Sequence, residues 1–383
     1  MNADFHYYAT YCASLIAGFS NKDAEKIAYA ANFVDCCTVT MLKKCGAPKS
    51  AATTQSQLEL ADFDTDFLSL REITRIWASF HFLPGDLYAP IKHGWFNYKR
   101  KYKIICKPNG ALLKDTIELA KNESLEAVGI AMHILADTWA HQNFAGTPSL
   151  VINNVDSHVY EIYKNQDFRI SFSHNPARAD DINERKYVNS LYTTNENSIM
   201  NLGHGRMGHL PDISFIKYRY MPAWGKYEEV IKDNPSDYLK AFQQMVYALK
   251  YLKGDIKKFE LNTYDPISKY KERVVSIICK RQLSAEKDWK KFAEELAGRK
   301  INTFEVEKYP TKYQQSTKKE LTPFSSFIIH ALKQKSMVTN RIYKSKNKIA
   351  GYSIEYKRHG FKGLRDYWKL VENAKKRKKN GQN

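Results

Sequence analysis

The stretch EAVGIAMHILADTWAHQNFAG, residues 126 to 146, decides how this chain is read. Its apolar residues recur at spacings of three and four, which predicts a helix, and they are interrupted by His133, Asp137 and His141, each four residues after the last. At 3.6 residues per turn the three stand on one face. A lone buried histidine is ordinarily a core residue with satisfied ring nitrogens. Three polar groups in register each need a partner of their own once buried. A bound divalent cation satisfies all three together, so the row points to metal.

Working outward, similar spacings predict helices over 5–17, 22–34, 66–80, 111–121, 123–142 and 235–253, the last capped by Asn234 with Pro235 in its first turn. Strand signals are few. Residues 102–106 and 349–356 are candidates for hairpins, and nothing suggests a parallel sheet. The expected fold class is mainly α: a helical bundle with a multi-metal site over residues 1–260, followed by a basic, mostly helical region over 261–383.

Further imidazoles and carboxylates stand at the ends of these segments. His6 opens the first helix in DFHYYATY, Asp35 ends the second in YAANFVD, and His81 opens HFLPGD after the third; GHGRMGHLPD supplies His204, His209 and Asp212. Singly, each has an ordinary reading as a helix-end, turn or loop residue bonded to backbone. Together they bring imidazoles and carboxylates from five segments, which is how a helical bundle assembles a multi-metal site. Imidazole with carboxylate and no thiolate favours zinc, with manganese or iron as alternatives. Cys36 and Cys37 read as buried reduced thiols, and Trp139 and Phe144 as packing.

The chain of 383 residues carries 60 Lys+Arg against 41 Asp+Glu, a formal charge of +19, and its 43% hydrophobic content excludes a disordered chain. The charge is uneven: residues 1–212 have a net of −2 and the remainder +21. Nine of the eleven histidines fall at or before His209. From Ile213 onward Lys and Arg are interleaved with Tyr, Phe and Trp, and the chain closes on a basic run expected to bind polyanions, Lys375, Lys376, Arg377, Lys378 and Lys379. Three readings of this part stay open: a nucleic-acid surface, an anionic phospholipid surface, or solvated helix faces whose aromatics (Trp289, Phe292) lie in the core.

Several classes lose their signatures. There is no Gly-rich phosphate loop, no GxSxG elbow and no CxxC, and six cysteines without regular spacing do not make a disulfide framework. No apolar stretch reaches the roughly 18 to 20 residues that cross a bilayer. The first twenty residues hold Asp4 and no Lys or Arg, unlike a secretory signal, so a cytoplasmic protein is expected, with export by another route left open.

The order of His6, Asp35, His81 in HFLPGD, and the HxxxD pair His133 and Asp137 followed by His141 resembles the zinc-dependent phospholipase C and single-strand nuclease superfamily, helical enzymes with a three-zinc site. A closer resemblance is to an uncharacterised bacterial family, domain of unknown function 6765, at DFHYYATY, IAYAANFVD, HILADTWAHQNFAG and GHGRMGHLPD, over about residues 1 to 250. The resemblance to the phospholipase and nuclease group implies that His6, Asp35 and His81 are ligands, with Asp35 also the catalytic residue that orients or deprotonates the attacking water. It implies that His133 and Asp137 are a ligand pair, the Asp bridging two ions, and that His141, His204 and His209 complete the set. The implied activity is metal-dependent hydrolysis of phosphate esters, phospholipase C-like or nuclease-like, with two or three zinc ions and a phosphate-bearing substrate. The chain departs from that pattern in beginning Met-Asn-Ala rather than with Trp, in the short gap from Asp137 to His141, and in having HGRMGH where the group has HxxxE. The alternative reading is a non-catalytic polyanion-binding protein with a structural metal site or a buried polar network.

Overall fold

The computed structural model describes residues 1–61, 67–85, 87, 103–175, 177–189, 201–225 and 228–345. Helix α1 begins as a π-helical turn, Asp4–Ala9, and runs on as an α-helix through Thr10–Ile16. It is followed by α2 (Asn21–Phe33), α3 (Phe67–Phe80), α4 (Ala111–Ala120) and α5 (Leu125–Ala140). After a small sheet come α6 (Asn234–Lys253), α7 (Lys271–Ile278), α8 (Glu286–Ala297), α9 (Lys308–Gln315) and α10 (Pro323–Lys344). Six of these fall within two residues of the spans that apolar periodicity predicts.

Helix α5, which carries the His-Asp-His row, is the central element. Ser124 caps its first turn by accepting from the Ala127 amide, every residue from Glu126 to Ala140 is buried, and α2, α3, α4, α6 and α10 pack around it. A helix enclosed on all sides has no solvent face, so its polar residues have to be satisfied inside the protein. Gly129 sets how closely α2 can approach. A Cβ there would lie 2.5 Å from the Ile27 carbonyl oxygen and 2.6 Å from the Ala30 Cβ. The close crossing carries the end of α2, and Asp35 just beyond it, over the row one turn further along α5.

Residues beyond 260 share this core. Phe5 meets Trp289 edge-on with ring centroids 5.9 Å apart, and Phe33 meets Phe327 at 5.1 Å. One apolar cluster runs from Met1 to Ile342, and side chains of α7, α8, α9 and α10 belong to it.

Two local expectations are corrected. The cap of α6 is Asp233, whose carboxylate accepts from the Ser236 amide at 3.2 Å, because the Asn234 amide is committed to the carbonyls of Leu210 and Ile213 at 2.8 and 2.7 Å. The second concerns strands: β1 (Tyr160–Tyr163), β2 (Gln166–Arg169), β3 (Ser171–Ser173), β4 (Lys186–Val188), β5 (Lys217–Tyr220) and β6 (Val230–Asp233) form an antiparallel sheet in the order β2-β1-β5-β6 and a separate parallel pair, β3 with β4. In the four-stranded sheet the buried residues are Glu161, Tyr218, Tyr220 and Lys232; β5 alternates, but over four residues only, and β1 and β6 bury a charged residue, so the strands offer too little apolar alternation to reveal them. Residues 103–106 form no hairpin; Cys106 makes one antiparallel bridge to Pro84. Residues 349–356 lie outside the described part. Among the described residues no helix is long and apolar enough to cross a membrane.

Replacing Gly129 by Ala should force α2 and α5 apart, since the clash is with backbone. A loss of about 1 to 3 kcal/mol is expected, read as a lower midpoint in urea unfolding with little change in slope.

Candidate metal centre

The row occupies the C-terminal end of α5. His133 and Asp137 are one turn apart in its body, and His141 closes it, its amide bonded to the Asp137 carbonyl at 2.9 Å. The π-helical turn of α1, a form often found at functional sites, sets the His6 ring on that of His133, with centroids 3.8 Å apart and planes 21° from parallel. Asp35 and His81 come from different helix ends and are tied together by Thr53. The Thr53 hydroxyl donates to the Val34 carbonyl at 2.6 Å, its amide to the Cys37 carbonyl at 3.0 Å, and its own carbonyl accepts from His81 Nε2 at 2.9 Å. His204 and Asp212 lie on a loop pinned by two buried asparagines. Asn153 bonds Ala145, Thr147 and the Asn201 carbonyl at 2.8 to 3.0 Å, and Asn234 holds the backbone on either side of Asp212.

The two oxygens of Asp137 sort the donors. Oδ2 lies 3.1 Å from His133 Nε2 and 3.2 Å from His81 Nδ1, and Asp35 Oδ1 lies 3.8 and 3.7 Å from the same two nitrogens. Oδ1 lies 3.2 Å from His6 Nε2 and 2.6 Å from the α-amine of Met1. At the far end Asp212 Oδ1 is 3.0 Å from His141 Nε2 and 3.2 Å from the same amine, and Oδ2 is 3.4 Å from His204 Nε2. Within His6–His133–Asp137, Asp35–His81–His133 and His141–His204–Asp212, one ligand atom from each residue lies within 4.8 Å of the others.

The outer hydrogen bonds fix which nitrogens face inward with lone pairs. A carbonyl oxygen only accepts, so His81 Nε2 on Thr53, His141 Nδ1 on the His81 carbonyl at 2.8 Å and His204 Nδ1 on the Gly208 carbonyl at 2.8 Å each carry the hydrogen. In the neutral ring His81 Nδ1 then faces Asp137 Oδ2 as acceptor against acceptor, a contact that a proton or a metal ion between them relieves. His141 Nε2 faces Asp212 in the same way, and there the Met1 ammonium, 3.2 Å from both His141 Nε2 and Asp212 Oδ1, can donate to each. His6 makes no hydrogen bond at either ring nitrogen and His133 none at Nδ1, although all three atoms are buried. Backbone-anchored imidazoles converging on carboxylates are the ordinary construction of a metal site, and these residues fit one.

The electrostatics agree. Burial alone would raise the Asp137 carboxyl, but His141, the Met1 amine, His133 and His6 outweigh it and hold it well below the usual range. Asp212 is held down similarly, against its burial, by the Met1 amine, His204 and His141. Burial pushes His6 and His204 down to about 4, so both rings are neutral donors near neutral pH. Burial works against the charge on the Met1 amine, yet Asp137, Asp212 and Asp35 hold its pKa up at about 11. Asp35 is the most exposed member, with 39% of its side chain accessible; His6, His133 and Asp137 are enclosed.

The structure thus brings together His6, Asp35, His81, His133, Asp137, His141, His204 and Asp212. It leaves out His209, which points outward and pairs with Asp180 at 3.2 Å. Gly208, at φ +55° with its Cα packed on the Val188 carbonyl, turns the chain between the two histidines. Cys36 and Cys37 join none of the three groups. Trp139 bonds Gln244 and Phe144 stacks on Tyr220, so both pack. Lys375, Lys376, Arg377, Lys378 and Lys379 lie outside the described residues. The one participant that residue types could not announce is the Met1 amine, a backbone group.

The fold and site define a mainly α-helical protein with buried His/Asp clusters able to hold metal ions. The chain belongs to the family of unknown function DUF6765, whose model matches residues 1–374 and so extends well past the 250 residues over which the motifs were read. Neither the curated proteins nor the solved structures compared with the chain include a match.

The two histidines of GHGRMGH offer an internal comparison. Protein purified without chelator should contain a bound divalent metal by elemental analysis. His204→Ala should lose the metal of the Asp212 group, while His209→Ala should match the parent.

Proposed function

We propose that this protein is a metal-dependent phosphoesterase whose reaction takes place at the Asp35 side of the Asp137 cluster. The observation that carries this reading is the convergence of hydrogen-bond-anchored imidazoles on the two oxygens of Asp137, with one carboxylate, Asp35, at the exposed edge. Asp35, His81, His133 and Asp137 Oδ2 would hold one cation, His6 and Asp137 Oδ1 a second, and His141, His204 and Asp212 a third, while the Met1 amine, held protonated, pairs with the carboxylates and is not a ligand. Zinc suits a set of imidazole and carboxylate ligands, with manganese or iron as alternatives. Bound divalent cations lower the pKa of a coordinated water from about 15.7 toward about 7 and offset charge on phosphoryl oxygens.

The chain's own groups supply the rest. Asp35 reaches solvent, so its carboxylate accepts a hydrogen bond from the attacking water and takes its proton. Asp137 holds the imidazoles in register through both oxygens, and Thr53 keeps Asp35 and His81 at a fixed separation. Resemblance to the zinc-dependent phospholipase C and single-strand nuclease group supports this reading, although the chain begins Met-Asn-Ala where that group has Trp. The net charge of +21 over residues 213–383 favours a polyanionic substrate, nucleic acid or anionic phospholipid.

The test compares a soluble chromogenic phosphodiester, single-stranded DNA and anionic phospholipid vesicles, each with and without chelator. Hydrolysis of at least one should vanish on chelation and return with zinc, and Asp35→Asn should lower kcat by about 100-fold or more while retaining most of the metal. Turnover that survives full metal removal would sink the proposal. Bound metal with no turnover on any of the three would favour a structural cluster in a polyanion-binding protein.

A further inference from the structure

The C-terminal helix α10 reaches the framework of the metal centre through two adjacent side chains. The Lys335 ammonium donates to the Ser50 carbonyl at 2.7 Å and the Ala52 carbonyl at 2.6 Å. The Gln334 amide donates to the Ser79 carbonyl at 3.2 Å and the Thr116 hydroxyl at 3.0 Å. Ala52 is fully buried, so without the lysine its carbonyl has no ready access to water.

The neighbour of Ala52 in the chain gives these bonds their meaning. Thr53 is the residue that bonds the backbone on both sides of Asp35 and accepts from His81 Nε2. Lys335 therefore holds the peptide next to the bond that aims the His81 ring, and Gln334 holds the backbone two residues before His81. The ring of Phe80, which ends α3, lies 5.9 Å from the Lys335 ammonium. Burial pushes that ammonium down to about 8, against the opposing pull of Glu72 and Cys37. Covering apolar surface at this point needs no charge, and a methionine would do it without the desolvation cost.

We propose that Lys335 is a positioning residue for the Asp35–His81 metal position, acting through the 50–53 strap, with α10 as the brace that carries it. The inference rests on the metal-site reading above. Partners beyond the ligands orient the imidazole lone pair, and their loss typically weakens metal affinity by about 10- to 100-fold. Loss of Lys335 relaxes the strap and with it the separation of Asp35 from His81. The His141–His204–Asp212 position keeps its own supports, Asn153 and Asn234.

The experiment loads the full chain with cobalt and titrates it with chelator while recording the visible absorption of the bound ion. In Lys335→Met one step of release should move to about tenfold lower chelator, with a shifted absorption band for that step and the remaining release unmoved. Lys335→Arg, which keeps donors for both carbonyls, should restore the parental profile. Lys308→Met removes a lysine of similar burial that pairs with Glu25 from another helix, and it controls for a general loss of stability. If Lys335→Met does not fold, Lys335→Gln, with a shorter amide donor, is read in the same way. Parental release and spectrum in the Lys335 variant, or an equal shift in Lys308→Met, would overturn the positioning role and leave the metal reading standing. Absence of cobalt and zinc uptake by the parent would remove both.

Discussion

One carboxylate, buried in the middle of the most enclosed helix, sets the terms for the rest of this structure. Asp137 stays ionised where burial opposes it, and an unpartnered charge in that position would cost several kcal/mol or more. Its oxygens gather His6 from the first turn of the chain, His81 from the end of α3, His133 from its own helix and the Met1 amine. Each element packed around α5 has to deliver a donor, or leave room for one, at a defined height. The small side chains at the α2 crossing, the π-helical turn of α1 and the strap at residues 50–53 are three local solutions to that requirement.

The second layer shows a division of labour. On the Asp35 side, hydrogen bonds run outward through Thr53 to a lysine on the last described helix. On the Asp212 side they run through asparagines that grip backbone alone. Asparagine suits this task because its amide donates and accepts at once and can tie several strands of chain without adding charge. The parallel pair supports that loop: Asn189, just past β4, donates to the Arg206 carbonyl at 3.0 Å. Buried Glu161 on β1 accepts from Arg185 at 2.8 Å and from Arg281 at 3.1 Å, which fastens the sheet to the segment following α7.

Much of this was legible in the sequence, for physical reasons that can be named. Spacings of four along an apolar helix place side chains on one line, so His133 and Asp137 were readable as a pair. The helices of the first 253 residues that run ten residues or more repeat their pattern often enough to be located within a turn, whereas α8 and α10, the latter the longest of all, received no span. The sheet was not readable, because the Tyr218 and Tyr220 alternation of β5 spans only four residues and its neighbours put Glu161 and Lys232 on the inside. The choice between His204 and His209 was equally hidden. Identical side chains five positions apart are separated by the left-handed turn at Gly208, which sends one inward and the other to solvent. The Met1 amine was invisible for a simpler reason: every chain has one, and only the fold brings it against Asp137 and Asp212. Of the three readings left open for the C-terminal part, the burial of Trp289 and Phe292 agrees with the one that put their aromatics in the core.

The cluster is graded from wet to dry, and this grading governs exchange. A proton or small cation arriving from solvent meets Asp35 directly, whereas the oxygen of Asp137 that faces His6 is walled in by the first turn of α1 stacked on α5. Reaching that oxygen requires the terminal segment to lift away, an event whose frequency is set by the local opening free energy of α1 rather than by any affinity constant. Occupants at the two faces of a single carboxylate would therefore turn over on different clocks, one kept by diffusion and the other by the breathing of the chain's first helix.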